Sequence, residues 1–327
     1  MSAAQEIEGV AALVHRLAVL TAAGLPALGA WRSVAEADPD GPAAVVVDGI
    51  ESAADLPARI GVLARPGARG APSVGGAPSA VAGRSAVEGH DAPGDVGARA
   101  WGVLAAVWWV AAEAGAPLAP TLERTAEVLR GLGADARAVE VALAGPRATS
   151  RVVLALPVVA VAMGALLGFD MLGAFASVPG LVCAAAAGLL MWIAVRWNRR
   201  LLRWARESDP APGIGCELLA LAMSGGLPPA RARELVADAC RASGVDPGHG
   251  ADAVVAFAQR AGVPVAGLLR AESDAARREA RASAAERIAL LESRLLLPLG
   301  LCVLPAFVLL GVVPIGIAIL SSTALAV

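Results

Sequence analysis

Three long stretches of this chain are apolar and carry no charged side chain, whereas apolar and charged positions alternate elsewhere. The stretches are Val152–Phe169, Leu172–Val195 and Leu295–Leu320. A transmembrane α-helix needs roughly 20 mostly apolar residues, and a helix satisfies its own backbone hydrogen bonds in lipid. The pattern therefore predicts three membrane spans. The alternative, a buried core helix of a soluble domain, is disfavoured by these lengths.

Outside these stretches, one helical hairpin occurs twice. Leu17–Ala37 reads LAVLTAAGLPALGAWRSVAEA, and Leu219–Ala239 reads LALAMSGGLPPARARELVADA. A second matched pair follows in the same order, EAGAPLAPTLERTAEVL and then RAGVPVAGLLRAESDAA. Glycine tolerates the left-handed conformation that ends a helix, and proline is accepted at the start of the next one. The sequence therefore predicts a duplicated helical module, copy 1 and copy 2, with matched turn residues Gly24, Leu25, Pro26, Gly115 and Pro117 in copy 1 and Gly226, Leu227, Pro228, Gly262 and Pro264 in copy 2.

Copy 1 is interrupted by Asp38–Ala98, which is rich in Pro, Gly and Ala and has little helical periodicity. Such a segment buries too little apolar surface to offset its ordering entropy, so we expect a flexible insertion at 38–98 with at most a short helix or two near Ala43–Leu63. The expected fold is an all-α membrane protein with two cytoplasmic helical bundles and three transmembrane helices. The first bundle comprises 1–37 and 99–151, and the second comprises 196–294; a transmembrane hairpin occupies 152–195 and a C-terminal span 295–320.

Arginines flank the apolar stretches and predict their orientation. Basic residues concentrate in cytoplasmic loops of membrane proteins, so we expect these flanks, and the N-terminus, to be cytoplasmic and the C-terminus to lie outside. Because the chain begins with the acidic MSAAQEIEGV, we expect no cleavable signal. The predicted location is the cell inner membrane, crossed more than once. The cluster after the second stretch either contacts anionic lipids or docks an acidic protein surface; its members are Arg196, Arg199, Arg200, Arg203 and Arg206.

The composition argues against catalysis. All 27 basic residues are arginine, and the chain lacks lysine and tyrosine. A P-loop needs a lysine on the nucleotide phosphates, and Schiff-base and Ser–Lys chemistry need lysine as well. The four cysteines show no CxxC spacing and the three histidines stand alone. We therefore expect no catalytic residue, no metal, no cofactor and no disulfide. A small transporter would place ionisable residues inside its spans, and these spans have none.

The order of these elements resembles a known family. The following order of elements occurs twice: a helix, a GLP turn, a second helix, an AG-x-P turn, an amphipathic helix, an arginine-bearing helix and an apolar span. This order is similar to that of the type II secretion system F domain family. This family comprises inner-membrane platform proteins of type II secretion systems and type IV pili, both GspF/PilC-like and TadB/TadC-like. The closing LLLPLGLCVLPAFVLLGVVPIGIAIL resembles the last span of TadC-like members. The layout of two domains with three spans is closer to the general-secretion and type IV platform proteins.

This resemblance implies two six-helix-type cytoplasmic bundles and no activity of the chain's own. It implies a cytoplasmic secretion ATPase and pilin or pseudopilin subunits as partners, and an oligomer with itself or with a paralogous platform protein, but no nucleic acid. The expected function is a platform that couples the ATPase to the extraction of pilins from the membrane. The alternative is a membrane-anchored helical adaptor or regulatory protein without a role in secretion.

Overall fold

The computed structural model describes residues 2–65, 93–145, 178–206 and 211–313, with scattered helical positions between 148 and 166. Every regular element in these residues is helical, which confirms the all-α expectation. The chain divides into two compact units. Unit 1 contains Met1–Arg137 and Asp209–Arg281, and unit 2 contains Ala138–Ser208 and Ala282–Val327. Most of the first predicted span, the tip that follows it and the end of the third span lie outside the described residues.

Two of the helices contribute residues to both units. Copy 1 provides α1 and α2, the short α3 and α4, then α5 and α6; copy 2 begins at α8. Their bounds are α1 Ala3–Ala22, α2 Ala27–Ala37, α3 Pro42–Val47, α4 Leu56–Leu63, α5 Pro93–Ala114, α6 Leu118–Ala142, α7 Val178–Arg206, α8 Ile214–Ser224, α9 Pro229–Ser243, α10 Ala251–Ala261 and α11 Val265–Pro298.

Helix α5 is the centre of unit 1 and is buried on almost every side. Helices α1 and α4 of copy 1 and helices α8 and α9 of copy 2 all pack against it. Trp101 and Leu104 are fully enclosed. The ring of Trp108 lies 5.8 Å from that of Trp31, tilted by 57°, a spacing typical of aromatic pairs in protein cores. An apolar helix with this many neighbours needs no membrane to cover it.

The two copies share one hydrophobic core, so the expected division into two separate bundles is not confirmed. Close backbone approaches show how tightly they meet. A Cβ atom added to Gly102 of α5 would lie 2.7 Å from the carbonyl oxygen of Ser243 in α9. A Cβ added to Gly225, at the end of α8, would lie 2.8 Å from Cβ of Ala114 in α5. Helical periodicity shows which face of a helix is apolar but not which helix covers it, and here copy 2 covers copy 1.

The first half of the expected insertion belongs to this core and is not a flexible adornment. Short helices do form near Ala43–Leu63, as predicted, but their apolar faces are buried: Ala43 and Val46 in α3, and Ile60 and Leu63 in α4. Both helices carry a proline in their first turn, where its missing N–H costs nothing. The prolines that suggested a loop therefore start helices. Residues 66–92 lie outside the described residues.

In unit 2, α7 runs antiparallel to the C-terminal part of α11 and the segment after it. Trp204 packs near Leu291 and Leu295, whereas Ala194 and Trp197 pack further along, on Cys302 and Val303. Two helical stretches are long and apolar enough to cross a membrane, Gly180–Trp204 and Val265–Leu310. They contain much of the second and third predicted spans. The expected count of three spans is not confirmed.

The helix that carries the third predicted span changes its winding near its prolines. Helix α11 ends at Pro298 and continues as a π-helical turn, Leu299–Val303, then a short α-helix, Leu304–Phe307, and a second π-helical turn, Val308–Val312. Proline lacks an N–H and clashes with the carbonyl one turn earlier, and π-bulges relieve such conflicts inside helices. The prolines therefore alter the helix without ending it.

Candidate functional site

The matched GLP turns of the two copies have the same backbone geometry. Gly24 has φ 95° and Gly226 has φ 94°, a conformation that only glycine adopts freely. The N–H of Leu25 donates to the carbonyl of Leu20 at 3.1 Å, and the N–H of Leu227 donates to that of Ala222 at 3.3 Å. The prolines that follow, Pro26 and Pro228, are the N-caps of α2 and α9 with ψ 149° and 151°. Since torsions and hydrogen bonds both agree, the turns are built alike.

The second pair of turns agrees as closely. Gly115 has φ 65° and Gly262 has φ 68°. In each turn the next N–H donates back to the fifth residue before it, over 3.0 Å from Ala116 to Ala111 and over 3.1 Å from Val263 to Ala258. Pro117 and Pro264 then lead into α6 and α11. These four surface turns fix where helices end and begin; their side chains carry no group for acid–base or nucleophilic chemistry.

Four charged side chains form a closed ring of ion pairs within unit 1, which we call the ion ring. Arg124 of α6 binds Glu217 of α8 at 3.2 Å and Asp274 of α11 at 3.1 Å. Arg277 of α11 binds the same two carboxylates, at 3.3 Å and 2.8 Å, and also donates to the hydroxyl of the fully buried Ser273 at 2.8 Å. Two positive and two negative groups balance, so the ring ties copy 1 to copy 2 without leaving a net charge.

The ring is mostly shielded from water on the side of Glu217 and Arg277, which are 12% and 11% exposed. Burial alone would lower the pKa of Arg124, but its hydrogen bond to Glu217 and the charges of Glu217 and Asp274 raise its pKa above the ordinary value. Arg124 therefore stays charged. Such a ring fixes the register of three helices, α6, α8 and α11.

One feature of the sequence, a single charged residue in an apolar helix, indicates this ring, although the spacing of apolar residues does not. Glu217 is the one charged residue in the otherwise apolar α8, and a lone carboxylate on a core helix needs a buried partner. In α11, Asp274 and Arg278 stand four residues apart, a spacing that allows an ion pair on a helix. Instead Asp274 binds Arg277, and Arg281 reaches Asp135 of α6 at 2.8 Å. Tertiary partners in α6 and α8 decide the pairing.

The predicted arginine cluster lies on one exposed face of α7. Arg196, Arg199, Arg200 and Arg203 recur every three or four residues and are all exposed, so they share that face; we call these four the arginine stripe. Arg206, the fifth predicted member, is the last residue of α7, and its side chain lies outside the described residues. Within the part of the chain that the structure describes, no carboxylate forms an ion pair with a member of the stripe.

Two tryptophans of α7 hold guanidinium groups by cation–π contact. The guanidinium carbon of Arg196 lies 5.7 Å from the ring centroid of Trp192. Arg294 of α11 lies 4.4 Å from the ring centroid of Trp204. Contacts within about 6 Å are attractive. The second contact joins the two antiparallel helices of unit 2 and places an arginine of α11 beside the stripe.

The cysteines are free thiols. Cys216 and Cys240 lie in the core of unit 1. Burial, with nearby carboxylates adding to it, raises the pKa of both, and that of Cys240 reaches about 11. Both are therefore protonated and poor nucleophiles at neutral pH. Among the described residues, no group of three or more His, Cys, Asp or Glu side chains could hold a metal ion.

No family model, no curated protein and no solved structure matches this chain.

Proposed function

We propose that this chain is an inner-membrane platform protein of a type II secretion or type IV (Flp/Tad) pilus assembly machine. It would couple a cytoplasmic secretion ATPase to the extraction of pilin or pseudopilin subunits from the membrane. The observation that carries the proposal is the pair of matched turns: two GLP turns and two AG-x-P turns with nearly equal torsions, in one helical unit attached to an apolar hairpin. This is the order of elements on which the resemblance to the F domain family rests.

The surfaces of the two units support the same proposal. Most apolar side chains of unit 1 are enclosed, with exposed exceptions such as Val19 and Phe257, whereas the one helix α7 exposes Leu181, Leu189 and Trp192 by 59–66%. Contiguous exposed apolar surface of this kind marks a membrane or an interaction site. Unit 1 carries exposed ion pairs instead, including Arg231–Glu234 and Arg233–Asp252, which suits a water-facing unit that meets a soluble ATPase.

The energy for pilin extraction has to come from a partner. The chain lacks the lysine of a P-loop, so the nucleotide would be hydrolysed by the ATPase and the platform would carry its motion to the membrane. In this scheme unit 1 binds the ATPase and the apolar helices of unit 2 contact the pilin. The proposal includes oligomerisation of the chain with itself or with a paralogous platform protein.

The test is deletion of the gene in its own host, followed by complementation. We expect fibres or secreted product to disappear, while the purified ATPase keeps its own nucleotide hydrolysis. Wild-type chain and Glu234→Gln, which alters one exposed ion pair, should restore assembly; Glu217→Gln, which opens the ion ring, should restore it poorly at equal membrane abundance. If fibres and secreted product persist in the deletion strain, the platform assignment is wrong, and an adaptor or regulatory role replaces it.

A further inference from the structure

The arginine stripe continues a row of exposed apolar side chains on the same face of α7. Val182, Leu189 and Trp192 precede Arg196 and Arg199 at separations of seven, three, four and three residues, the spacing that keeps side chains on one helical face. Each of these apolar side chains is at least 59% exposed. The face therefore changes from apolar to basic within one helical turn, between Trp192 and Arg196.

The positive charge of this face has no compensation on its own helix. Residues 178–206 contain five arginines and no aspartate or glutamate. The opposing part of α11, from 282 to 298, adds Glu286 and Glu292 as well as Arg287 and Arg294, so it contributes no net charge. In unit 1, by contrast, arginines such as Arg124, Arg277 and Arg281 are paired with carboxylates. The positive charge of the stripe is therefore left for anionic groups outside these two helices to neutralise.

Both helices of the hairpin present arginine at the same end, where α7 also carries Trp204. Because α7 and α11 are antiparallel, Trp204 lies beside Arg294 while Trp197 packs on Cys302 and Val303. The indole of Trp204 holds the guanidinium of Arg294 next to the last turns of the stripe. Tryptophan and arginine at the end of an apolar helix are typical of the boundary between hydrocarbon and headgroups.

We propose that the arginine stripe, together with Arg294, is a binding site for the phosphate headgroups of anionic phospholipids. This proposal rests on the membrane location in the proposed function, and it adds anionic phospholipid as the partner of this end of unit 2. A guanidinium presents a planar fork of donors that matches phosphate oxygens, and arginines spaced one turn apart engage a row of headgroups. The exposed apolar row on the same face lies along the acyl chains of the same lipids.

An acidic protein surface is the competing partner, and the geometry favours lipid over it. A water-soluble acidic partner would satisfy the arginines but leave Trp192 and Leu189 uncovered, one turn away on the same face. Anionic phospholipid satisfies both halves of the face at once. Attraction to anionic lipid is about fivefold in affinity for each basic residue near the surface, so four arginines produce a measurable preference even after partial screening.

The experiment uses the full chain reconstituted in phosphatidylcholine vesicles with a small fraction of lipid carrying brominated acyl chains, which quench tryptophan on contact. The brominated lipid is either phosphatidylglycerol or phosphatidylcholine. Three tryptophans, Trp192, Trp197 and Trp204, lie on α7 and report the site. We expect stronger quenching by the brominated phosphatidylglycerol, corresponding to a preference of at least about fivefold.

Two triple variants remove the same amount of positive charge and so distinguish an effect of the stripe from an effect of the protein's net charge. Arg199→Gln/Arg200→Gln/Arg203→Gln removes three members of the stripe and should bring the preference close to one. Arg260→Gln/Arg270→Gln/Arg278→Gln removes three exposed arginines of unit 1 and should leave the preference unchanged. Because all six side chains are exposed, neither variant removes a core contact. Tryptophan emission in matched vesicles without brominated lipid checks the fold. A single Arg294→Gln should lower the preference by several-fold if the site spans both helices.

Several results would overturn the proposal. Equal quenching by the two brominated lipids would do so, as would an equal loss of preference in both triple variants. Full displacement by inorganic phosphate, at an ionic strength matched with chloride, would make this a free-phosphate site. A full preference retained after loss of the stripe would assign the stripe to an acidic protein partner. Normal lipid preference in a protein whose deletion leaves fibres intact would instead contradict the proposed function alone.

Discussion

Replacement of Gly225 by alanine tests whether the two copies share one core. Gly225 has ordinary helical torsions, φ −76° and ψ −2°, so the added methyl causes no backbone strain. Its Cβ would lie 2.8 Å from Cβ of Ala114 and closer still to the carbonyl oxygen of that residue, well inside van der Waals contact. In copy 1 the matched position is Ala23, so the turn itself accepts a methyl. What forbids it in copy 2 is the neighbouring end of α5.

The expected cost follows from that contact. Forcing an extra methyl into a packed site costs about 1–3 kcal/mol, and the Cβ meets backbone atoms that cannot rotate away. We expect Gly225→Ala to lower the free energy of unfolding by about 2 kcal/mol. The matched control is Gly9→Ala in α1, where nothing lies within 4 Å of the added Cβ; it should raise stability by about 0.5–1 kcal/mol, because alanine is the better helix former.

Urea unfolding of the full chain in detergent, followed by the fluorescence of the core tryptophans, measures both variants. Trp31, Trp101 and Trp108 lie in the shared core, so their emission reports its loss. If copy 1 and copy 2 folded as separate bundles, the methyl at Gly225 would meet no part of α5. Stability of Gly225→Ala equal to or above that of the wild type would therefore refute the shared core.

Three further outcomes are expected from the same unfolding measurement. Glu217→Gln should cost about 2 kcal/mol, because it strands a mostly buried guanidinium of the ion ring, whereas Glu234→Gln in an exposed pair should cost less than about 0.5 kcal/mol; equal costs would contradict the ring. Gly24→Ala and Gly226→Ala should each cost about 1–2 kcal/mol from left-handed strain and agree with each other; a clear difference would contradict matched turns. Folding raises the pKa of the Cys240 thiol from 9.0 to about 11, so the folded state binds this proton more tightly and stability should fall as the pH rises between those values; a Cys240→Ala variant with the same slope would exclude this thiol as the cause.

The turns could be predicted from sequence because their signal is local. Gly24 and Gly226 stand where a helix must end in a left-handed residue, and each is followed two residues later by a proline that opens the next helix. These requirements depend on torsions within four or five residues, and the structure has the same torsions in both copies. Likewise the arginine stripe follows from spacing alone, since residues three and four apart share a helical face.

What covers each apolar face could not be predicted in the same way. The sequence of α5 shows an apolar helix, but it contains nothing that chooses α8 and α9 of the other copy as its neighbours. The ring of Arg124, Glu217, Asp274 and Arg277 depends on those long-range contacts. So does the burial of Ile60 in a segment whose composition suggests a loop. Composition over 38–98 allowed a short helix or two near Ala43–Leu63, but it did not show that the apolar residues of these helices are buried in the shared core.

Helices α5 and α7 show why apolar composition alone does not identify a membrane helix. Both are long and apolar, yet Trp101 and Leu104 of α5 are enclosed by four helices, whereas Leu181 and Leu189 of α7 are exposed by more than half. Water would leave the α7 face with a contiguous apolar surface that soluble proteins avoid. In a bilayer the same face is covered by acyl chains, and the arginine stripe that continues it reaches the headgroups. The uncovered apolar face of α7, and the change from apolar to basic along it, therefore support the proposal that this face meets lipid.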